Sequence, residues 1–281
     1  MRGGGFVRLA GFVIHGNNQD TLPRCLESLL AVCDDVVAVD SMSTDGSSDI
    51  SRRMGVRSVS MAWEGYGAAR AAAVASLRPS DYVFFLDSDE HLDADAVRAI
   101  VGWRESHPRE AVYRLPLRDW AEVDGQRFLY RTHWRSRLLR REVAAWRPEM
   151  IVHEALPRRR AQRLQAFIEH RFATSVSLRS AKEHRYALLW AVMAFVEGRT
   201  SKPASLQRPA HLLRDGLLHG ALWRGGWRAL KLAWVVAGYH VAKYRYLCEL
   251  KQGRHPELVQ AFKERRFGEL FQRVHALRLT P

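Results

Sequence analysis

The chain predicts an α/β fold: a nucleotide-binding, mixed but mostly parallel sheet flanked by helices, followed by a helical, basic, aromatic-rich extension. Three observations carry this. Strand-like runs alternate with helix signals four times over about the first hundred residues, the pattern of a parallel sheet with helical crossovers. Two of the runs, Asp35–Asp40 and Tyr82–Asp87, finish in Asp, which lines carboxylates along the carboxyl edge where open α/β sheets take their ligands. Finally, residues 1–100 hold 9 Arg/Lys against 14 Asp/Glu, whereas the whole chain of 281 residues carries +14. The remaining residues are therefore 35 against 16, a net +19, and an acidic half before a basic half suggests two jobs.

The elements follow in order. Residues 6–14 read as a first strand, and His15–Asp20 as a polar turn. A helix then starts near Asp20 or Thr21, with Pro23 tolerated in its first turn and Leu22, Cys25, Leu26, Leu29 and Leu30 at helical spacing. Asp35–Asp40 is the second strand, and Asp45 a cap for a helix ending near Gly55. Val56–Met61 is a third strand and Ala68–Leu77 an Ala-rich helix. The continuous run Tyr82–Leu86 fits a central strand covered on both faces, and it leads straight into Asp87, Asp89 and Glu90. An Asp-x-Asp at a strand end suits Mg²⁺ or Mn²⁺ carrying phosphates, although a capped turn explains the same acids equally well. Asp93 caps the next helix.

From about residue 110 the texture changes. Ala111–Leu117, Arg127–Thr132 and Arg137–Leu139 are short strand-like pieces, with Asp124-Gly125 a hairpin signal. Trp146–Glu154 reads as a strand-like segment ending in His153-Glu154. Residues 183–196 and about 211–250 read as helices separated by a Lys202–Pro209 linker. Neither a Gly-x-Gly-x-x-Gly nor a Gly-x-x-x-x-Gly-Lys-Ser/Thr follows the first strand, which argues against a dinucleotide oxidoreductase and a P-loop enzyme. Three cysteines without metal spacing read as free thiols in a reducing compartment. Arg8 interrupts the apolar part of the N-terminus, so it is a poor signal peptide, and the protein is expected to be cytoplasmic.

Taken together, DDVVAVDSMSTDGSSDI (34–50), WEGYGAAR (63–70), YVFFLDSDEHLDADAV (82–97) and VHEAL (152–156) resemble the family 2 inverting glycosyltransferases of the GT-A fold. The nearest look is the lipopolysaccharide-core β-1,4-glucosyltransferase-like branch, from Phe6 to about Leu250. The resemblance implies a GT-A-like catalytic domain over 1–180, with a nucleotide-sugar half (1–105) and an acceptor half (106–180), and a helical region over 181–281. It implies donor binding by Asp40, at the nucleotide base, and by Asp87, with Asn17 in the first loop and Arg70 as a phosphate grip or a solvated helix charge. It implies a divalent metal at Asp87 and Asp89, with His153 a further candidate or a packed core histidine, and Glu154 as the base that deprotonates the acceptor hydroxyl. Neutral Asn18 stands where the family usually has an acid, and Ala71 and Ala72 replace the branch's Asn and Tyr. These departures spare the metal and base positions and leave the donor open.

The implied activity is transfer of a sugar from a nucleotide-diphosphate donor to a lipid-linked or lipopolysaccharide-type saccharide acceptor. A sugar nucleotidyltransferase shares such a core but needs a Gly-rich basic first loop, which His15–Asp20 does not supply. A non-catalytic member at a membrane surface is the other rival. In the extension, Trp223, Trp227, Trp234, Tyr239, Tyr244 and Tyr246 alternate with Arg224, Arg228, Lys231, Lys243 and Arg245. That mixture suits an anionic membrane surface at the inner face of the cytoplasmic membrane, or an amphipathic helix packed on the catalytic domain. Nucleic acid is an unlikely partner, since no recognisable module for it is present.

Overall fold

The structure, a computed structural model, describes residues 7–152, 156, 160–200 and 207–277. It divides into two units, and strands run through both. Unit 1 comprises residues 1–118, 133–150 and 154–170, and unit 2 residues 119–132, 151–153 and 171–281.

Unit 1 holds β1 (Leu9–His15), α1 (Leu22–Val32), β2 (Asp35–Asp40), α2 (Ser47–Arg53), β3 (Arg57–Ser60), α3 (Tyr66–Ser76), β4 (Tyr82–Asp87), β5 (Glu90–Leu92) and α4 (Ala94–Glu105). It also takes the outer parts of β6 (Val112–Val123) and β7 (Gln126–Arg140), then β8 (Gln162–Arg163) and the start of β9 (Ile168–Ala173). The strand order is β3-β2-β1-β4-β7-β6-β9-β5, with β8 on β6. β3, β2, β1 and β4 are parallel, and β7 joins β4 antiparallel, so the mixed, mostly parallel sheet read from the sequence is present.

Side chains alternate along these strands and so feed two cores. Leu9, Val13, Val36, Ala38, Phe84 and Leu86 pack on one face with Leu22, Leu26 and Leu29 of α1 and Ile100 of α4. Ala10, Phe12, Val37, Val39, Val83 and Phe85 pack on the other with Ala69 and Ala73 of α3. Burial on both faces explains why these strands are continuous apolar runs. Asp93 caps α4 as expected, its carboxylate accepting from the Ala96 amide at 2.8 Å. Asp124 (φ 50°) and Gly125 (φ 74°) make the tight turn between β6 and β7, both left-handed as a two-residue hairpin requires.

Trp146–Val152 is not a strand. Pro148 removes a ladder donor, and the Met150 amide turns back onto the Arg147 carbonyl at 3.0 Å. This bend presses on α3: a Cβ on Gly67 would lie 2.1 Å from the Arg147 oxygen and 2.9 Å from the Met150 oxygen. Only glycine allows so close a backbone approach.

In unit 2, α5 (Val176–Val196), α6 (Gln207–Leu212), a π-helical stretch (Leu213–Leu218), α7 (Ala221–Lys251), α8 (Pro256–Lys263) and α9 (Phe267–Ala276) accompany the β6–β7 hairpin end. The helical extension is thus present, and α5 begins earlier than residue 183 because Ser175 caps it, accepting from the Leu178 amide at 3.1 Å. Ala229, Leu232, Ala233 and Val236 of α7 pack on Val123, Phe128 and Tyr130. A buried ionic group pins the hairpin to the π-helical stretch: Arg131 reaches Asp119 at 2.6 Å and Asp215 at 3.2 Å, and the Tyr130 hydroxyl donates to Asp215 at 3.2 Å. Among the described residues no helix is long and apolar enough to cross a membrane.

Candidate active site

The parallel register sets the site. His15 at the end of β1 lies opposite Asp40 at the end of β2, and Ile14 opposite Asp87 at the end of β4. One carboxyl edge therefore carries an imidazole and two carboxylates. Asp40 is buried, and burial alone would raise its carboxyl pKa. Hydrogen bonds from the Ser43 hydroxyl (2.6 Å) and amide (2.9 Å), and from the Ser48 hydroxyl, outweigh that and hold it below the ordinary range. It stays an ionised acceptor. His15 Nδ1 is 3.7 Å from Asp40, and neither ring nitrogen makes a hydrogen bond although the ring is buried. Burial lowers its pKa more than Asp40 raises it, so it is a neutral imidazole.

Asn17, in the first loop, adopts φ 56° and accepts from the Thr44 amide at 2.8 Å. Its own amide donates to Ser43 Oγ at 3.0 Å, and the Asn18 amide to Ser47 Oγ at 2.9 Å. The loops after β1 and β2 are thereby zipped together beside Asp40. Asn tolerates the left-handed backbone this needs better than most residues. Asn18 Oδ1 is engaged locally, accepting from the Gly16 amide at 2.9 Å.

Asp87 is clamped. Arg70 Nη2 donates to one oxygen at 2.9 Å and Arg137 Nη2 to the other at 2.7 Å. Burial would raise the Asp87 pKa, but the two guanidinium groups drive it well below the usual carboxylate range. Arg137 also binds Glu90, whose other oxygen accepts from the Asp87 amide at 3.0 Å. Glu90 is 1% exposed, and burial pushes its pKa up to about 7. Both guanidinium groups lie over the Phe85 ring, at 4.7 and 4.9 Å, which adds cation–π attraction. Two guanidinium groups, an ionised Asp87 and the buried Glu90 carboxyl thus form a quartet behind the strand end.

Asp89 lies outside that quartet. Its carboxylate is 3.6 Å from Nε2 of His170 on β9, and both are only partly covered. Two ligands of one divalent ion, each at about 2.1 Å, stand about 3–3.5 Å apart, and the Asp89–His170 separation lies just beyond that spacing. Each Asp87 oxygen already accepts one arginine hydrogen bond, which leaves a second lone pair on each for a further contact. Among the described residues no group of three or more His, Cys, Asp or Glu is arranged to hold a metal, so further ligands have to come from substrate oxygens or water. His153 and Glu154 lie outside the described residues. The sequence reading did not name His170, Arg137 or Glu90 as site residues. Glu90 was visible as part of the acidic cluster, while His170 sits in an ordinary strand alternation with no spacing signal.

An open α/β sheet with acids at the carboxyl edge of its parallel strands defines a protein that takes its ligand in that crevice. Residues 12–172, more than half of the chain, match glycosyl transferase family 2, and the chain belongs to that family. Uncharacterized glycosyltransferases of Rickettsia conorii and Rickettsia felis are 32% and 30% identical over 112 residues. Each match covers 39% of this chain and 39% of the relative, so the chain spans well under half the length of these curated relatives. Glucosyl-3-phosphoglycerate synthase of Mycobacterium tuberculosis, solved with Mn²⁺ and UDP-glucose, is similar at 22% identity with a TM-score of 0.35. That likeness covers 40% of this chain and 44% of the synthase.

Proposed function

We propose that this chain is an inverting, metal-assisted glycosyltransferase. It moves a sugar from a nucleotide-diphosphate donor to a lipid-linked or lipopolysaccharide-type saccharide at the inner face of the cytoplasmic membrane, in building the cell envelope. The observation that carries the reading is the carboxyl edge of β2, β1 and β4 in a family 2 chain: an ionised Asp40 in a serine cradle, with Asp89 and His170 beyond the end of β4.

Asp40 accepts hydrogen bonds from the N–H edge of the nucleotide base, with buried His15 beside it. Asn17 shapes this pocket by tying the two loops together. A divalent cation held by Asp89 and His170 would neutralise the charge that develops on the leaving diphosphate. Asp87 faces the ribose, and Arg70 acts through Asp87 by holding it ionised and in place. Glu154, by its match to the family's Val-His-Glu segment, takes the proton from the acceptor hydroxyl as that oxygen attacks the anomeric carbon. His153 stands beside it as a further contact to metal or diphosphate.

The test is transfer from UDP-, GDP-, dTDP- and ADP-sugars to a lipid-linked saccharide acceptor with Mg²⁺ or Mn²⁺. Asp89→Ala and Glu154→Gln should each abolish transfer in a folded protein. Full transfer by Glu154→Gln removes that residue from the mechanism, and release of pyrophosphate from a nucleoside triphosphate in place of sugar transfer overturns the reading.

A further inference from the structure

The aromatic residues of α7 part into two sets. Tyr239, Tyr244 and Tyr246 are buried, whereas Trp223, Trp227 and Trp234 are 82%, 56% and 52% exposed. Leu230 is exposed with them, as are Leu213, Leu217 and Leu218 on the π-helical stretch that packs against α7. Gly226 (φ 54°) kinks α7 after Trp223, and beyond it the side opposite Trp227, Leu230 and Trp234 already supplies the unit's core through Ala229, Leu232, Ala233 and Val236. The tryptophans are therefore not needed to fold this helix. Large apolar side chains clustered and exposed on a folded chain mark an interaction surface.

The patch is rimmed by cations that stand on its rings. Arg208 lies 4.2 Å over Trp234, and Arg228 and Lys231 each lie 4.9 Å from Trp227. From residue 207 to residue 248 the only acid is Asp215, which is buried against Arg214 and Arg131. On the neighbouring β6–β7 turn, Asp124 pairs with Lys231 at 3.5 Å and leaves Arg208 and Arg228 to carry the positive rim. We infer that this face docks on an anionic lipid bilayer. Tryptophan favours the headgroup level of a membrane, and basic side chains beside it reach lipid phosphates while their stems lie along apolar surface. Two copies of the patch packed face to face would bring like-charged rims together, which disfavours self-association as its use. With no helix among the described residues able to cross a bilayer, the helix lies on the surface.

The inference deepens the membrane-bound-acceptor reading above by naming the face that meets the membrane. Vesicle binding without donor or acceptor tests it separately from sugar transfer. The full chain is floated with vesicles of phosphatidylcholine alone and with added phosphatidylglycerol, at low and high salt. Binding is expected to the anionic vesicles and to weaken with salt. Trp223→Ala/Trp227→Ala/Trp234→Ala should weaken it about tenfold or more, with an unchanged unfolding midpoint. Arg228→Gln/Lys231→Gln should weaken it by up to about 25-fold, at roughly fivefold for each cation, and by less to the extent that the Asp124 pair already holds Lys231. Absence of binding to anionic vesicles, or a triple variant that binds like wild type, overturns the proposal. So does concentration-dependent dimerisation that the triple variant abolishes without vesicle binding, since that assigns the face to a second copy.

Discussion

Replacing Arg137 with Met removes one cation from the quartet behind β4. Arg137 reaches Asp87 at 2.7 Å and also binds Glu90, which is 1% exposed. Without it, Glu90 is a buried carboxylate with no guanidinium, and breaking a buried pair in this way costs about 3–5 kcal/mol. At roughly 2 °C per kcal/mol for a chain of this size, the unfolding midpoint should fall by about 6–10 °C. The sign with pH follows from Glu90. Burial raises its pKa from 4.5 to about 7 in the folded chain, so its contribution to stability is full below 4.5 and is lost as pH rises through about 7. Removing Arg137 raises that pKa further, which makes the penalty larger above neutral pH than in mild acid. Thermal unfolding followed by circular dichroism, near pH 5.5 and near pH 8, measures both effects. Arg137→Lys keeps the charge but not the two-pronged fork, and should recover part of the loss. A Met variant within about 1 °C of wild type at the higher pH refutes a stabilising clamp.

Two further outcomes follow from the same geometry. Gly67→Ala places a Cβ 2.1 Å from the Arg147 carbonyl oxygen, and should cost about 1–3 kcal/mol in chemical denaturation as the 147–150 bend is pushed away; an unchanged midpoint would remove the close approach. Ser43→Ala deletes the 2.6 Å hydrogen bond to Asp40, worth about 1.5–3 kcal/mol for a charged acceptor. Because the Asp40 pKa is lowered from 3.8, its stabilising share is present above that value and is lost as pH falls through the folded-state pKa. The variant's deficit should therefore be full at neutral pH and shrink in acid, and a deficit independent of pH contradicts the role given to Ser43.

The sheet was legible because its chemistry is local. Runs such as Tyr82–Leu86 need burial on both faces, and Asp93, Asp124 and Gly125 have side chains or backbone freedom that act on their own neighbours. Asp40 and Asp87 were legible as strand ends for the same reason. Their partners were not. Arg70 and Arg137 lie 17 and 50 residues from Asp87, and only the register of β4 against β7 brings the second one near. His170 meets Asp89 because β9 pairs with β5, a three-residue strand that no periodicity announces. In α7 the composition showed Trp, Tyr and basic residues mixed together, and packing against α5 and the β6–β7 hairpin decides which of them face out. Trp146–Glu154 read as a strand-like segment from its apolar residues, and over its described part, 146–152, Pro148 with the Arg147–Met150 turn decided otherwise.

The most direct test of the site is a calorimetric titration of nucleoside diphosphates and their sugars, with Mg²⁺ or Mn²⁺, into wild type, Asp40→Asn and Asp89→Ala. One nucleotide should bind the wild type. Asp40→Asn should weaken that nucleotide with and without metal, by about tenfold or more if one charged hydrogen bond is lost. Asp89→Ala should remove only the part of the affinity that the metal adds. Binding that neither substitution alters, in variants that fold like wild type, would contradict a donor site on this edge of the sheet.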